Sequence, residues 1–184
     1  MLTLNEIKDE LEMLCYTDRI QRMLALGRDP ENEPLLAEME QNAFAMRWLA
    51  LMSCHTSRDG ARVLRLLGDS SQLIRHSAAS LVALIGTTTQ GISALDMILP
   101  RYRRRLVCQL QKRNRPDVLD ACLQHLAGQT AENKNSADKT ADSKDNGLID
   151  CLPHGTAETV RALLPQVLPY FASHHWIRDR KSVV

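Results

Sequence analysis

Residues 68–86, GDSSQLIRHSAASLVALIG, carry the clearest structural signal in this sequence. Gly68 is typical of the residue that ends a helix, and the Asp-Ser-Ser that follows it favours the start of the next one. The apolar residues after this turn recur at the spacing of one helical face: Ile74, Ala78, Leu81 and Ile85. Because a second glycine ends the pattern, the stretch predicts two helices joined by a tight turn, the second with one buried face.

Similar helical patterns extend in both directions along the 184-residue chain. Thr3 and Glu6 form the T-x-x-E pattern of a capping box, which marks the start of a helix. Another apolar stripe runs at helical spacing through Ala45, Trp48, Leu49 and Met52. Aromatic residues make up only 4% of the chain, which argues against a β-sandwich or barrel. The sequence therefore predicts an all-α fold.

One local motif resembles the second helix of a HEAT repeat, which belongs to the armadillo-type α-helical repeats. That family has an Asp in the turn of the hairpin, an aliphatic residue five positions later and a basic residue directly after it; these places hold Asp69, Ile74 and Arg75. The aliphatic–basic pair recurs at Met46-Arg47, with a looser echo at Val118-Leu119. The intervals from Met46 to Ile74 and from Ile74 to Val118 are 28 and 44 residues. Because a HEAT unit has about 40–47 residues, the spacing is irregular and the first interval is short.

The resemblance implies a fold and a set of contacts. We expect an α-α superhelix, a short solenoid of three to four irregular HEAT-like hairpins in a right-handed curved layer. In such a repeat the turn Asp caps the second helix, and the aliphatic residue packs between hairpins. The Arg reaches along the stack towards a neighbouring turn Asp. The resemblance covers residues 33–127.

Composition divides the chain into three predicted parts. Residues 1–127 carry the helical repeats. Residues 128–147, GQTAENKNSADKTADSKDNG, have no Leu, Ile, Val, Met or aromatic residue, and a segment that buries so little surface is expected to be a flexible polar insertion. Residues 148–184 predict a further helical hairpin and a tail that ends where a new helix could begin, which suggests truncation from a longer chain.

Charge is unevenly distributed although the net charge is only +1. Residues 101–115 hold seven basic residues and no acid, whereas residues 29–40 hold five acids and no base. If 101–115 is helical, Arg101, Arg104 and Arg105 form a positive ridge that could contact phosphates. The alternative is a solvated helix face whose arginines pair with acids such as Asp96 or Asp117. The candidate interaction surface comprises seven residues: Arg47, Arg75, His76, Arg101, Arg103, Arg104 and Arg105.

Motifs for other chemistry are absent or weak. The common nucleotide-binding, hydrolase and zinc-protease signatures do not occur, and we expect no catalytic residue, metal or cofactor. Two C-x-x-H pairs, Cys122/His125 and Cys151/His154, have the spacing of zinc ligands on a helix, but buried thiols beside surface imidazoles explain them better. Cys54-His55 is adjacent in sequence, and adjacent residues do not face each other on a helix.

These observations predict a non-enzymatic scaffold for protein–protein interaction whose partner the sequence does not identify. The alternative is a nucleic-acid-binding protein that uses residues 101–115. We expect no membrane association, because the sequence has no apolar run long enough to span a bilayer. The N-terminus carries acids where a signal peptide needs positive charge, so we expect an intracellular location, cytoplasmic or nuclear. The last residues, Ser182-Val183-Val184, resemble a PDZ-domain ligand.

Overall fold

The computed structural model describes residues 2–135 and 147–171, and these residues confirm the all-α prediction. Every regular element within them is helical. The chain divides into two compact units, Met1–Gln90 and Gly91–Val184. In chain order the α-helices are α1 (Leu4–Glu12), α2 (Tyr16–Leu26), α3 (Glu33–Glu40), α4 (Phe44–Ser57), α5 (Gly60–Leu66), α6 (Gln72–Ile85), α7 (Thr88–Met97), α8 (Pro100–Lys112), α9 (Pro116–Asn135), α10 (Leu148–Cys151) and α11 (Ala157–Phe171). Short 3₁₀ turns at Pro30–Asn32 and Leu152–His154 precede α3 and α11.

The first unit is organised around helix α4. This helix packs against α2, α3, α5 and α6, so that it contacts the second helices of both neighbouring hairpins, α2 and α6. Gly27, at the end of α2, lies so close to α4 that a Cβ atom there would be 2.3 Å from the carbonyl oxygen of Ser53. Thr56 of α4 stabilises the contact between α2 and α4 by donating a 2.7 Å hydrogen bond to the carbonyl oxygen of Leu24. Only a glycine allows α2 and α4 this separation.

The helices recur with a period of 28 residues, which is not evident from the local sequence patterns. The second helices α2, α4, α6 and α8 begin at Tyr16, Phe44, Gln72 and Pro100. The first helices α1, α5, α7 and α9 begin at Leu4, Gly60, Thr88 and Pro116, and the 3₁₀ turn and α3 together occupy the missing place after α1. The spacing is therefore regular, and the interval from Met46 to Ile74 that looks too short is the repeat itself. The interval of 44 residues to Val118 does not belong to the series.

Buried and basic side chains follow the same period. One position of this period, seven residues after the first helices α1, α5, α7 and α9 begin or at the same register in α3, is apolar and buried in all five cases: Leu11, Met39, Leu67, Leu95 and Leu123. Another position, the fourth residue of each second helix, is an arginine in all four cases: Arg19, Arg47, Arg75 and Arg103. A residue type that returns at one register in every hairpin indicates one repeated structural task.

The second unit contains the segment predicted as an insertion. Helix α8 packs against α9, and α9 packs against α10 and α11. Helix α9 continues to Asn135, so residues 128–135 of that segment are helical, while residues 136–146 lie outside the described residues. The division between the units falls at residues 90 and 91, well before the boundary at 127 that composition suggests. Residues 172–184, which include Ser182-Val183-Val184, also lie outside the described residues.

Candidate functional site

Arg47 joins two successive hairpins of the first unit. From α4 its Nε and Nη2 atoms donate to the two carboxylate oxygens of Asp69, at 2.7 and 3.2 Å, in the turn between α5 and α6. Nη1 also donates to the carbonyl oxygen of Asn42, at 2.8 Å, in the turn of its own hairpin. The contact expected between a basic residue and the turn Asp of a neighbouring hairpin is therefore present. A bidentate arginine–carboxylate pair of this kind fixes both the orientation of the two side chains and the distance between them.

Asp69 has a role different from the predicted helix cap. The N-cap of α6 is Ser71, whose side chain makes no capping bond. Asp69 instead accepts from the Ser71 N–H at 2.7 Å, which closes the turn just before the helix. Burial raises the pKa of Asp69, but the hydrogen bonds from Arg47 and the Ser71 N–H outweigh this effect, and the pKa lies below its usual value.

The repeated arginines all donate to backbone carbonyls near the turns of their own hairpins. Arg19, Arg47 and Arg75 each reach the carbonyl oxygen five residues earlier, at 2.9, 2.8 and 2.8 Å. The Nε atom of Arg103 donates to the carbonyl of Leu95 at 2.9 Å. The carbonyls of Leu14, Asn42 and Ser70 lie beyond the end of the first helix, and that of Leu95 lies in the last turn of α7, where the backbone has acceptors without helical partners. The arginine at this position of the repeat thus stabilises the turn of each hairpin.

The hydrogen bonds to turn carbonyls change the interpretation of the predicted interaction surface, because three of its arginines make them. Arg47 and Arg75 meet at the Asp69 turn, where Arg75 donates to the Asp69 backbone carbonyl at 2.6 Å. Arg103 is only 8% exposed and is thereby removed from the predicted surface, because its guanidinium points into its own hairpin. His76 is partly buried, with Nε2 at 3.5 Å from the Gln72 amide nitrogen. The bonds to turn carbonyls and to Asp69 give these arginines a structural role that the sequence does not suggest.

The basic segment 101–115 is helical up to Lys112. Its exposed basic residues are Arg104, Arg105, Lys112 and Arg113, and the side chain of Arg101 lies outside what the structure describes. Of the acids predicted to pair with this segment, Asp117 lies 3.6 Å from Arg115. Asp96 is bonded instead to His125, at 2.9 Å, and to Gln129, at 2.8 Å.

Large apolar side chains are exposed around the turns of the hairpins. In the first unit they are Met13, Tyr16, Phe44 and Leu73. Tyr16 and Phe44 are the first residues of α2 and α4, and Leu73 is the second residue of α6. They therefore occupy nearly the same place in three successive repeats. Local sequence patterns do not single them out, because only the 28-residue register shows that they correspond.

A buried ionic cluster joins α3 to α5. The Arg62 side chain is fully buried; it donates to Glu40 through Nε and to Glu33 through Nη2, the latter at 2.6 Å. Arg65 donates to both carboxylate oxygens of Glu40, at 3.0 and 2.9 Å. Burial lowers the pKa of Arg62, but the hydrogen bonds that it donates to Glu33 and Glu40 outweigh this effect and raise the pKa above the ordinary arginine value. The only sequence signal for this cluster is the acidic stretch 29–40.

The cysteine and histidine residues pair differently from their sequence spacing. Burial raises the pKa of the Cys54 and Cys122 thiols to about 12, which opposes activation of either as a nucleophile. His154 pairs with Cys108 of α8: Nε2 lies 3.1 Å from the sulfur, and Nδ1 lies 2.8 Å from Oε1 of Gln111. Across residues 2–135 and 147–171, no cluster of three or more His, Cys, Asp or Glu could hold a metal ion.

Comparisons with known protein families, with curated proteins and with solved structures find no match to this chain. The resemblance to HEAT repeats therefore stays a prediction from the sequence. No helix in the described part of the chain is both long and apolar enough to cross a membrane.

Proposed function

We propose that this protein is a non-enzymatic scaffold for protein–protein interaction, and that its hairpins form a short α-solenoid of HEAT-like repeats. The observation that supports a solenoid is the 28-residue period of the helices, together with the packing of α4 against both α2 and α6. The period is shorter than a HEAT unit of about 40–47 residues, so the HEAT-like part of the proposal is supported only by the turn motif at Asp69, Ile74 and Arg75 and by the Arg47–Asp69 contact. Repeats that contact their immediate neighbours build extended surfaces, and proteins made in this way commonly act by binding other proteins.

The second helices are the part of the repeat that we expect to contact a partner. Tyr16, Phe44 and Leu73 stand exposed at their beginnings, near the predicted Arg47, Arg75 and His76 of α4 and α6. Aromatic and aliphatic anchors beside charged groups are typical of residues that dominate binding energy. One such side chain comes from each of three hairpins. A partner that binds along them would therefore contact equivalent positions of three repeats and not a single loop.

The experiment is affinity purification from intracellular extract with quantitative mass spectrometry on three versions of the chain. The first is wild type, and the second carries Tyr16→Ser, Phe44→Ser and Leu73→Ser. The third is a matched control, Glu31→Ser, Arg58→Ser and Thr87→Ser, changed at exposed residues of the connections between hairpins. We expect a protein to be retained by wild type and control and to be absent from the apolar variant. Equal retention by all three would refute this surface.

The second candidate function is nucleic-acid binding, which the exposed Arg104, Arg105, Lys112 and Arg113 favour. Its test is binding to a generic duplex and a generic RNA at two salt concentrations, with Arg104→Gln/Arg105→Gln as the variant. Replacement of the exposed Arg28 and Arg58 by Gln changes the net charge equally and serves as the control. If this function holds, affinity falls with salt, and the slope of log affinity against log salt decreases by about 1 for each phosphate that the variant no longer neutralises. Absence of binding at low salt removes this candidate.

We also place the protein in a reducing intracellular compartment, cytoplasmic or nuclear. All five cysteines lie within the described residues, and none forms a disulfide. Such thiol chemistry fits a reducing environment. Cell fractionation of the tagged chain tests this assignment.

A further inference from the structure

Cys108, His154 and Gln111 form a line of three hydrogen-bonded side chains in the second unit. The Cys108 sulfur lies 3.1 Å from His154 Nε2, and His154 Nδ1 lies 2.8 Å from Gln111 Oε1. Cys108 and Gln111 are one turn apart on α8, and His154 comes from the 3₁₀ turn at Leu152–His154. A thiol within reach of an imidazole that a third group orients is the arrangement that activates cysteine nucleophiles.

The distances and hydrogen-bond partners indicate which imidazole nitrogen faces the thiol: Nε2 lies 3.1 Å from the Cys108 sulfur and Nδ1 lies 3.8 Å from it. The amide oxygen of Gln111 can only accept, so His154 Nδ1 carries the proton and donates it to that oxygen. Nε2 is then the unprotonated nitrogen, and it accepts from the Cys108 S–H. Burial, followed by the nearby charge of Arg104, lowers the pKa of His154, so the neutral imidazole predominates near neutral pH. His154 is accordingly able to take the thiol proton.

Positive charge lies on the same side of the helix as the thiol. Arg104 and Arg105 are exposed, and they precede Cys108 by four and three residues. Residues with these separations are neighbours on a helix surface. A positive surrounding attracts a negatively charged reagent to the thiol. Cys108 is partly exposed.

We propose that Cys108 is a redox modification site that forms a mixed disulfide with small anionic disulfides. His154 Nε2 takes the thiol proton as the Cys108 sulfur attacks one sulfur of the disulfide. The new bond joins that sulfur to Cys108, the original sulfur–sulfur bond breaks, and the other half leaves as a thiolate. His154 then returns its proton to the leaving thiolate, so one disulfide is exchanged for another and one thiol is released.

Cys15 provides an internal control for this site. It is exposed, whereas Cys108 is only partly exposed, so accessibility alone would make Cys15 react faster. The Cys15 sulfur donates to a carboxylate oxygen of Asp18 at 3.2 Å, and the negative charge of this carboxylate repels an anionic disulfide. The other three cysteines are buried. The proposal therefore predicts a rate order opposite to the order of exposure.

The test treats the reduced full-length chain with oxidised glutathione near neutral pH and follows each cysteine by peptide mass mapping. We expect the adduct to form at Cys108 at least about tenfold faster than at Cys15, because an unassisted thiol is only a few per cent ionised at this pH. His154→Gln should slow Cys108 about tenfold and leave Cys15 unchanged. Arg104→Gln should slow the reaction with oxidised glutathione, which is anionic, and not the reaction with cystamine, which is cationic.

Gln111→Leu keeps both the thiol and the imidazole, and it tests the orienting bond where His154→Gln fails to fold. We expect it to slow Cys108 severalfold while the helical circular dichroism stays that of wild type. Faster reaction of Cys15 than of Cys108, or Cys108 rates unchanged in both the His154 and the Gln111 variants, would overturn the proposal. A rate at Cys108 that is equal for the two disulfides would overturn the preference for anions.

Discussion

The acidic segment 29–40 and the basic segment 101–115 look equally one-sided in the sequence, but the fold uses their charges differently. Two of the acids, Glu33 and Glu40, are bonded to Arg62. The basic segment instead keeps most of its charge at the surface, although Arg103 is buried in its own hairpin and Arg115 lies near Asp117. A run of like charge in the sequence therefore marks an ionic core in one region and an exposed surface in the other.

The difference arises from where each charge falls in the repeat. Glu40 is the last residue of α3, and it faces the neighbouring first helix α5, which supplies Arg62 and Arg65. Arg104 comes one residue after Arg103, the arginine whose position in the repeat bonds to the turn, and its side chain is exposed to solvent. A shift of one position on a helix rotates a side chain by roughly 100°, which suffices to move it from a bonded to an exposed position.

The largest effect should come from Arg62→Met, which removes the centre of the buried cluster. We expect unfolding free energy to fall by about 3 kcal/mol in denaturant titration, because breaking a buried pair leaves an uncompensated charge. The loss should lie at the low end of the range for such pairs, since Arg65 still bonds to Glu40.

The double variant Arg62→Met/Glu40→Leu sharpens this prediction. Replacing both members of a buried ion pair by apolar residues is often nearly neutral, so the double variant should recover most of the stability that the single variant lacks. Arg65→Gln, at a half-exposed arginine on the same carboxylate, should cost less than about 1 kcal/mol. Equal losses for Arg62 and Arg65 would show that the cluster is not a buried core.

A smaller effect is expected from Asp69→Asn, which removes the charge that Arg47 binds. Hydrogen bonds to charged groups contribute about 1.5–3 kcal/mol, and the Asp69 side chain is only 4% exposed, so we expect a loss of about 2 kcal/mol at neutral pH. Arg47→Met should cost a similar amount.

The same variant predicts a pH dependence with a definite sign. The pKa of Asp69 is lower in the folded chain than in the unfolded chain, so its stabilising contribution is complete above the unfolded value of about 3.9 and is lost as pH falls through the folded value. The stability difference between wild type and Asp69→Asn should therefore be constant above roughly pH 5 and shrink below about pH 4. A difference that does not change down to the lowest pH would contradict the role assigned to the Arg47–Asp69 pair.

How far the sequence predicts this molecule depends on the range of the interactions. The helices and the Arg47–Asp69 contact are predictable, because caps, apolar stripes and the turn motif are local. The 28-residue period is present as the interval from Met46 to Ile74, but it is shorter than a HEAT unit and so looks like an irregularity. The first residues of the polar segment 128–147 are helical because α9 continues through them, which composition alone does not show.

The candidate sites are harder to predict because their members are distant in the chain. Arg62 and Glu40 are 22 residues apart, and Cys108 and His154 are 46 residues apart. The sequence spacing suggests that His154 pairs with Cys151, its near neighbour, whereas in the fold His154 contacts Cys108. Such contacts depend on how helices distant in the sequence pack together, and local sequence patterns do not show this packing.

The smallest effects should separate Arg103 from Arg104, which are adjacent in sequence and different in environment. Arg103→Gln removes the bond to the Leu95 carbonyl and leaves that buried acceptor unsatisfied, so we expect stability to fall by about 1–2 kcal/mol. Arg104→Gln changes an exposed side chain and should alter stability by less than about 0.5 kcal/mol. Denaturant titration of both variants beside wild type measures the two effects together. If Arg104 proved the costlier of the two, the arginine register would be wrong at α8, and the basic segment would belong to the core and not to the surface.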